Sequence, residues 1–325
     1  MLSFFSILYQ DEILYSGLAR YHIRSGNQNF RQTDLDLFGY SSQQICRITL
    51  TNNVKHLVKE IFHLSSNSAG ALLRHNTLYP FYATFLTRME VRKLELAMIE
   101  KRSGSILDQA KVDLDSYSES FTALIGRRKY LKFCPLCLES EIEQYGEPYW
   151  HRSHQTPGIM ICTQHQILLL DSTIPIDGKG IHYHAASLEN CPTDREQVEL
   201  TPKSVETLLG VAEDIMWLMN SPIDFKGMRW LRDRYLAKLY KLGLAQKRLR
   251  GEFHCDSQQL FESFCTFYGR DCLNLVEPRF IETDGNYLIH CVFSSDLDPK
   301  IDRVAHVLIT RYLSGSVANF FMENN

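Results

Sequence analysis

Cys134-Pro-Leu-Cys137 and, beyond a spacer covering 138–161, Cys162-Thr-Gln-His165 constrain this chain more than anything else in it. Each pair encloses two residues, the spacing of a tight turn that presents two donors to one metal ion. Zinc–ligand distances of about 2.0–2.3 Å then require the two turns to converge. A redox cysteine pair would instead open a helix after a strand, with no histidine partner downstream. Four protein ligands leave no position for water, and three thiolates make zinc a poor Lewis acid. A zinc deaminase would also carry a histidine–any–glutamate triplet, which is missing. The predicted ion is therefore one structural Zn2+ held by Cys134, Cys137, Cys162 and His165.

Three thiolates on a divalent ion leave a charge of −1. Arg127, Arg128, Lys129 and Lys132, just upstream, either offset that charge or contact phosphate. His151 and His154 either exchange in as ligands or pack inside the ribbon. His182, His184 and Cys191 raise a second metal site, which their irregular spacing argues against.

The 325 residues allow two or three domains, and 44% hydrophobic with 22% charged residues is globular composition. A formal net charge of −3 excludes a protein that coats nucleic acid wholesale, but not a local basic surface. The nine cysteines are odd in number and unevenly spaced, and MLSFFSILYQDE lacks the basic start of a signal peptide. No stretch reaches membrane length. The expected setting is a reducing bacterial cytoplasm.

The predicted fold is mainly α, in three parts. Residues 1–125 form an N-terminal helical domain, read either as helix-turn-helix-like or as a small all-helical core. In it Asp11 would cap a helix carrying Ile13, Leu14, Leu18 and Tyr21 and ending near Gly26. Val54, Leu57, Val58, Ile61 and Phe62 make a second apolar stripe, and Pro80 and Gly104 punctuate later helices. Residues 126–195 lose helical periodicity and read as a zinc ribbon, with short strands at 159–161 and 167–170. Residues 196–325 return to helix, first from Ser204 to Met219, ended by Asn220-Ser221-Pro222.

The segment 226–250 carries nine lysines and arginines against one acid, Asp233. Arg229, Arg232, Arg234, Lys238 and Lys241 would wrap a helix with an apolar stripe of Trp230, Leu231, Leu236, Leu239, Tyr240 and Leu242. Gly243 would close it, and Lys247, Arg248 and Arg250 would open a second helix, completing a helix-turn-helix. The functional reading is contact with nucleic-acid phosphates; the other is a solvated helical surface.

KFCPLCLESEIEQYGEPYWHRSHQTPGIMICTQH resembles the signature of the TniQ/TnsD family, the target-selection proteins of Tn-seven-like transposons. DEILYSGLARY resembles the start of such proteins and HNTLYPFYATFL a stretch ahead of their ribbon. WLRDRYLAKLYKLGLAQKRLR with LFESFCTFYG resembles a further helical domain of TnsD-like members. The resemblance implies a non-enzymatic adapter. It would bind target DNA, or dock on a CRISPR effector ribonucleoprotein, and recruit an AAA+ ATPase regulator that delivers the transposase. By position, Cys134, Cys137, Cys162 and His165 match the family's zinc ligands. The cysteine pairs of a second zinc knuckle, present in many members, are missing. Longer members continue past 325 residues, so the chain is either truncated or a short form of the kind that partners a CRISPR effector. A homodimer is left open.

Two other classes fit the sequence less well. A thiol hydrolase using Cys272 or Cys291 lacks any accompanying nucleophile elbow, phosphate loop or paired acids. A zinc-stapled protein-interaction module without nucleic-acid contact would tolerate charge reversal at Arg229, Arg232 and Lys238.

Overall fold

Apolar residues at helical spacing, closed by glycines and opened by short polar side chains, dominate the chain, and the computed structural model is accordingly mainly α. It describes residues 2–41, 51, 53–64, 68–100, 129–176, 182–194, 198–221, 223–247, 253–294 and 303–323. Gly104, Arg127, Arg128, Arg248 and Arg250 lie outside the described residues. Two compact units are resolved: one of 1–83, 88–156 and 168–197, the other of 84–87, 157–167 and 198–325. Among the described residues no helix is long and apolar enough to cross a membrane.

The first unit begins with α1 (Leu14–Ser25), α2 (Phe30–Phe38), α3 (Val54–Ile61), α4 (Ala69–Asn76), α5 (Tyr79–Ala83) and α6 (Arg88–Ile99). Helix α1 ends where its sequence says it should, with Gly26 in the left-handed conformation. Its start differs from expectation: Ile13 is the N-cap, and Asp11 sits upstream at φ 57°. Asp11 is drawn out of the capping role because its carboxylate and carbonyl are used by Ser153 and Arg152. Asn29 and Ser68 do cap α2 and α4, accepting from Gln32 and Ala71 N–H groups. In α3, Val54, Leu57 and Ile61 are buried, whereas Phe62 lies past the last helical residue and is 74% exposed.

The ribbon follows, as β1 (Tyr130–Phe133), α7 (Pro135–Tyr145), α8 (Arg152–Gln155) and β2 (Leu170–Pro175). Strands β1 and β2 are antiparallel, with Lys132 opposite Asp171 and Phe133 opposite Leu170. Three expectations fail here. The predicted loss of helix is wrong over 135–145, where Pro135 at the first position and a left-handed Gly146 frame a regular helix. The strand expected at 167–170 starts only at Leu170 and runs to Pro175. The segment 159–161 forms no strand of its own.

The second unit holds α9 (Pro202–Asn220), α10 (Met228–Lys241), β3 (Ala245–Lys247), β4 (Phe253–Cys255), α11 (Ser257–Tyr268), α12 (Arg270–Val276), α13 (Arg279–Glu282), α14 (Asn286–Phe293), α15 (Arg303–Ser314) and α16 (Val317–Met322). Thr201 caps α9 with Pro202 behind it, and Asp256 caps α11. Helix α15 is the core: Arg303 through Thr310 are all buried, and it packs on α9, α10, α14 and α16. An aromatic cluster joins Phe85, Phe225, His306 and Phe321 at centroid distances of 5.5–6.2 Å from Phe85. Gly210 of α9 leaves a notch for Arg311, whose Nη1 donates to the Gly210 carbonyl and to Asp214, each at 2.9 Å.

The basic segment folds differently from the helix-turn-helix expected. Helix α10 ends at Lys241, and 245–247 is a strand paired with 253–255, not a second helix. Gly243, in the left-handed region, turns the chain, and Ala245 is buried where the hairpin packs on α10.

Candidate metal centre and the network around it

Strand pairing does what the spacing demanded. Phe133, the residue before Cys134, lies opposite Leu170, a few residues beyond His165. The ladder therefore brings the two donor pairs to the same end of the hairpin. Cys134 is the N-cap of α7 and Cys137 lies in its first turn, where the unshared N–H groups and the helix dipole favour thiolate. The second pair sits in a turn in which Cys162 N–H donates to Ile167 and its carbonyl accepts from Gln166, both at 2.8 Å, with Gln166 at φ 58°.

One donor atom from each of Cys134, Cys137, Cys162 and His165 lies within 4.8 Å of all the others. The Cys162 Sγ to His165 Nδ1 distance is 3.6 Å. Zinc bonds of about 2.0–2.3 Å in tetrahedral geometry give donor–donor edges of roughly 3.3–3.8 Å, so the set fits such an ion. The cysteines are buried and His165 is partly exposed, the arrangement of a closed site with one ligand at its rim. Strand-then-helix is also the setting of a redox pair; the convergence of Cys162 and His165 separates the two readings. These four residues can hold a metal ion.

A second group, Cys137, Glu141 and His151, shares one thiol with the first. Glu141 and His151 are already committed elsewhere. Glu141 Oε1 is hydrogen-bonded to His151 Nε2, and its Oε2 accepts from Tyr149 N–H at 3.1 Å. Burial alone would lower the His151 pKa, but hydrogen bonds with Asp11 and Glu141 raise it to about 9. His151 stacks on Tyr149 and touches His154, with centroids 4.5 and 4.4 Å apart. Of the two readings for these histidines, packing is the one the contacts support. Among the described residues His182, His184 and Cys191 do not gather as a metal group.

Sequence reasoning missed the network that fastens the ribbon to α1. Glu12, fully buried, accepts from Arg20 at 2.9 and 2.7 Å, and Arg20 also donates to Glu147 at 2.7 Å. Burial opposes the Arg20 charge, yet the Glu12 and Glu147 carboxylates hold its pKa above the ordinary value. Ile13 N–H donates to the Trp150 carbonyl and Trp150 N–H to Ser16 Oγ, both at 3.0 Å. Trp150 Nε1 reaches the His184 carbonyl at 2.7 Å, and Tyr15 donates to the His182 carbonyl. The stretches DEILYSGLARY and YGEPYWHRSHQ are thus two sides of one hydrogen-bonded seam. The sequence offered only its local half, an acid and an arginine eight residues apart at Glu12 and Arg20.

The basic residues divide. Lys132 is opposite Asp171 in register and paired with it at 2.8 Å. Arg234 donates to the Phe320 carbonyl at 2.5 Å and lies over Trp230 and Phe320, 5.3 and 5.0 Å from their centroids. Lys238 is paired with Glu323. Arg232 is half-buried, while Arg229, Lys241 and Lys247 are exposed.

The profile of the TniQ family matches residues 3–169, just over half of the chain. The chain is also similar to the transposon Tn7 transposition protein TnsD of Escherichia coli, 22% identical over 221 residues. That alignment takes in 67% of this chain and 40% of the relative, so the chain spans well under half of TnsD.

Proposed function

The chain belongs to the TniQ family, and on that premise we propose that it is a non-enzymatic target-selection adapter for DNA transposition. It links a recognised target site to an AAA+ ATPase regulator and through it to the transposase. It reaches the target by contacting DNA itself, by docking on a CRISPR RNA-guided effector, or by both. The observation that carries this reading is the four-donor cluster of Cys134, Cys137, Cys162 and His165 within the TniQ match. We assign it one structural Zn2+. The ion supplies rigidity: it ties the start of α7 to the Cys162 turn, and binding of about 10–16 kcal/mol at neutral pH exceeds what this short ribbon gains by packing. The domains are read as an N-terminal helical part to about residue 125, the ribbon to about 195, and a C-terminal helical part.

Nucleic-acid contact is assigned to the outer face of α10 and the β3–β4 hairpin, through Arg229, Lys241 and Lys247. Their exposure supports this. A second reading, a zinc-stapled interaction module that leaves nucleic acid to its partners, is favoured by one observation: Arg234 and Lys238 are engaged by the C-terminal helix.

The test is co-expression with the neighbouring genes, followed by purification. An AAA+ ATPase or a CRISPR ribonucleoprotein should come with the chain; neither doing so overturns the adapter reading. A gel-shift series with candidate duplexes separates the versions, since specific binding by the isolated protein defeats docking alone.

A further inference from the structure

Helix α16 ends against the basic helix α10. Arg234 Nη2 donates to the carbonyls of Phe320 and Glu323, at 2.5 and 3.4 Å, so the last turn of α16 is held by a cation of α10. That fixes the Glu323 side chain beside Lys238, with which it forms an ion pair. The lysine is largely covered, 15% exposed, while the glutamate is 51% exposed. The hydrogen bond and charge of Lys238, joined by the charges of Lys241 and Arg234, hold the Glu323 carboxyl below its ordinary range. One carboxylate thus stands on a group of three cations, in a chain segment with eight more positive than negative charges (nine against one, Asp233).

We propose that Glu323 is an intramolecular stand-in for a nucleic-acid phosphate, and that duplex DNA must displace it from Lys238 to engage α10. The proposal rests on the nucleic-acid contact assigned above and adds its regulation. A carboxylate oxygen and a phosphodiester oxygen make the same charge-assisted bond to an ammonium group. The Glu323 end of the pair is 51% exposed, so the carboxylate can exchange with solvent-borne anions, and a backbone crossing α10 there would gain Lys241, one turn on, besides Lys238. The latch sets a threshold: isolated phosphates do not outcompete a tethered carboxylate, whereas a duplex presenting several phosphates does.

The experiment is a fluorescence-anisotropy titration of the full chain with a random-sequence DNA duplex at several salt concentrations. Glu323→Gln, Lys238→Gln and the double variant are compared with the unmodified chain, and a single-stranded RNA serves as a second probe. Glu323→Gln should tighten duplex binding about two- to five-fold, the range expected for removing one solvent-facing competitor carboxylate. Lys238→Gln should weaken it and reduce the salt slope by about 1, and the double variant should match Lys238→Gln. Unchanged affinity in Glu323→Gln, with weakening in Lys238→Gln, overturns the latch and leaves the nucleic-acid reading standing. Binding by neither the unmodified chain nor Glu323→Gln overturns both. Tightening for RNA alone overturns the assignment to duplex DNA. Glu323 is at the surface, and a thermal melt checks that its replacement leaves the fold intact.

Discussion

The two units hold themselves together by different means. The first depends on polar and ionic groups taken out of water: the Glu12–Arg20–Glu147 ion network, the Asp11–His151–Glu141 chain and the Cys134 and Cys137 members of the metal-ligand set. The second is organised around a buried helix, α15, and an aromatic cluster, with largely buried ion pairs at Arg311–Asp214 and Arg279–Glu277 among the described residues. Polar cores are unforgiving when one member is removed, because the partner is left desolvated. Apolar cores lose stability in proportion to the volume lost and tolerate substitution of similar shape. The unit that holds most of the family match is therefore the one whose residues are least interchangeable.

The largest expected effect breaks the comparison at the metal. Cys137→Ser, or removal of the ion by a chelator, should abolish metal binding measured by elemental analysis. It should also remove hydrogen-exchange protection from β1, β2 and α7 while leaving α11 and α15 protected. Loss of roughly 10 kcal/mol or more of metal-binding free energy is at stake, and an unchanged melting profile would overturn the site. Next is Arg20→Met, which strands the buried Glu12 carboxylate and should cost about 3–5 kcal/mol in urea denaturation. Glu12→Gln combined with Arg20→Met should recover much of that loss, which a mere packing defect would not.

In the second unit, Gly210→Ala places a methyl group 1.9 Å from Arg311 Nη2. Displacing that guanidinium from Asp214 should cost about 1–3 kcal/mol, read as an earlier loss of protection in α9 and α15 with metal content unchanged. The smallest effect is on pH. Burial, and then the His182 charge, lower the pKa of His22, with Asp34 opposing; burial, and then the His182 and His22 charges, lower that of His184. Both are favoured neutral in the folded state, so the unfolded chain binds more protons near the ordinary value of 6.5. Stability of the first unit should fall as pH drops through that value. Replacing His22 with Gln should flatten the slope, whereas an identical slope in the variant would remove this histidine from the account.

Legibility from sequence followed the range of the interaction. The metal ligands were readable because their chemistry is fixed by spacing within each pair. Helix ends at Gly26 and Asn220 were readable because caps act within a turn. Helix α7 was hidden by its histidine- and cysteine-rich surroundings, although Pro135 and Gly146 mark both of its ends. The hairpin after α10 was missed because lysine and arginine are good helix formers, while the pairing of Gln246 with His254 is set by tertiary context. The Glu12–Arg20–Glu147 network was illegible in full, since Glu147 comes from far along the chain. Nothing local announces that distance.

The rung that seats Phe133 across from Leu170 works as a gauge for the whole ribbon. One extra residue between Lys132 and Cys134 would carry the thiol about 3.4 Å along the strand and turn every side chain there to the opposite face. Insertions of that kind should be lethal to the fold, and so should insertions between Gly146 and Gln155, whose residues make the seam with α1. Length differences among family members should therefore accumulate outside both segments and leave the strand between Tyr130 and Cys134 constant in length.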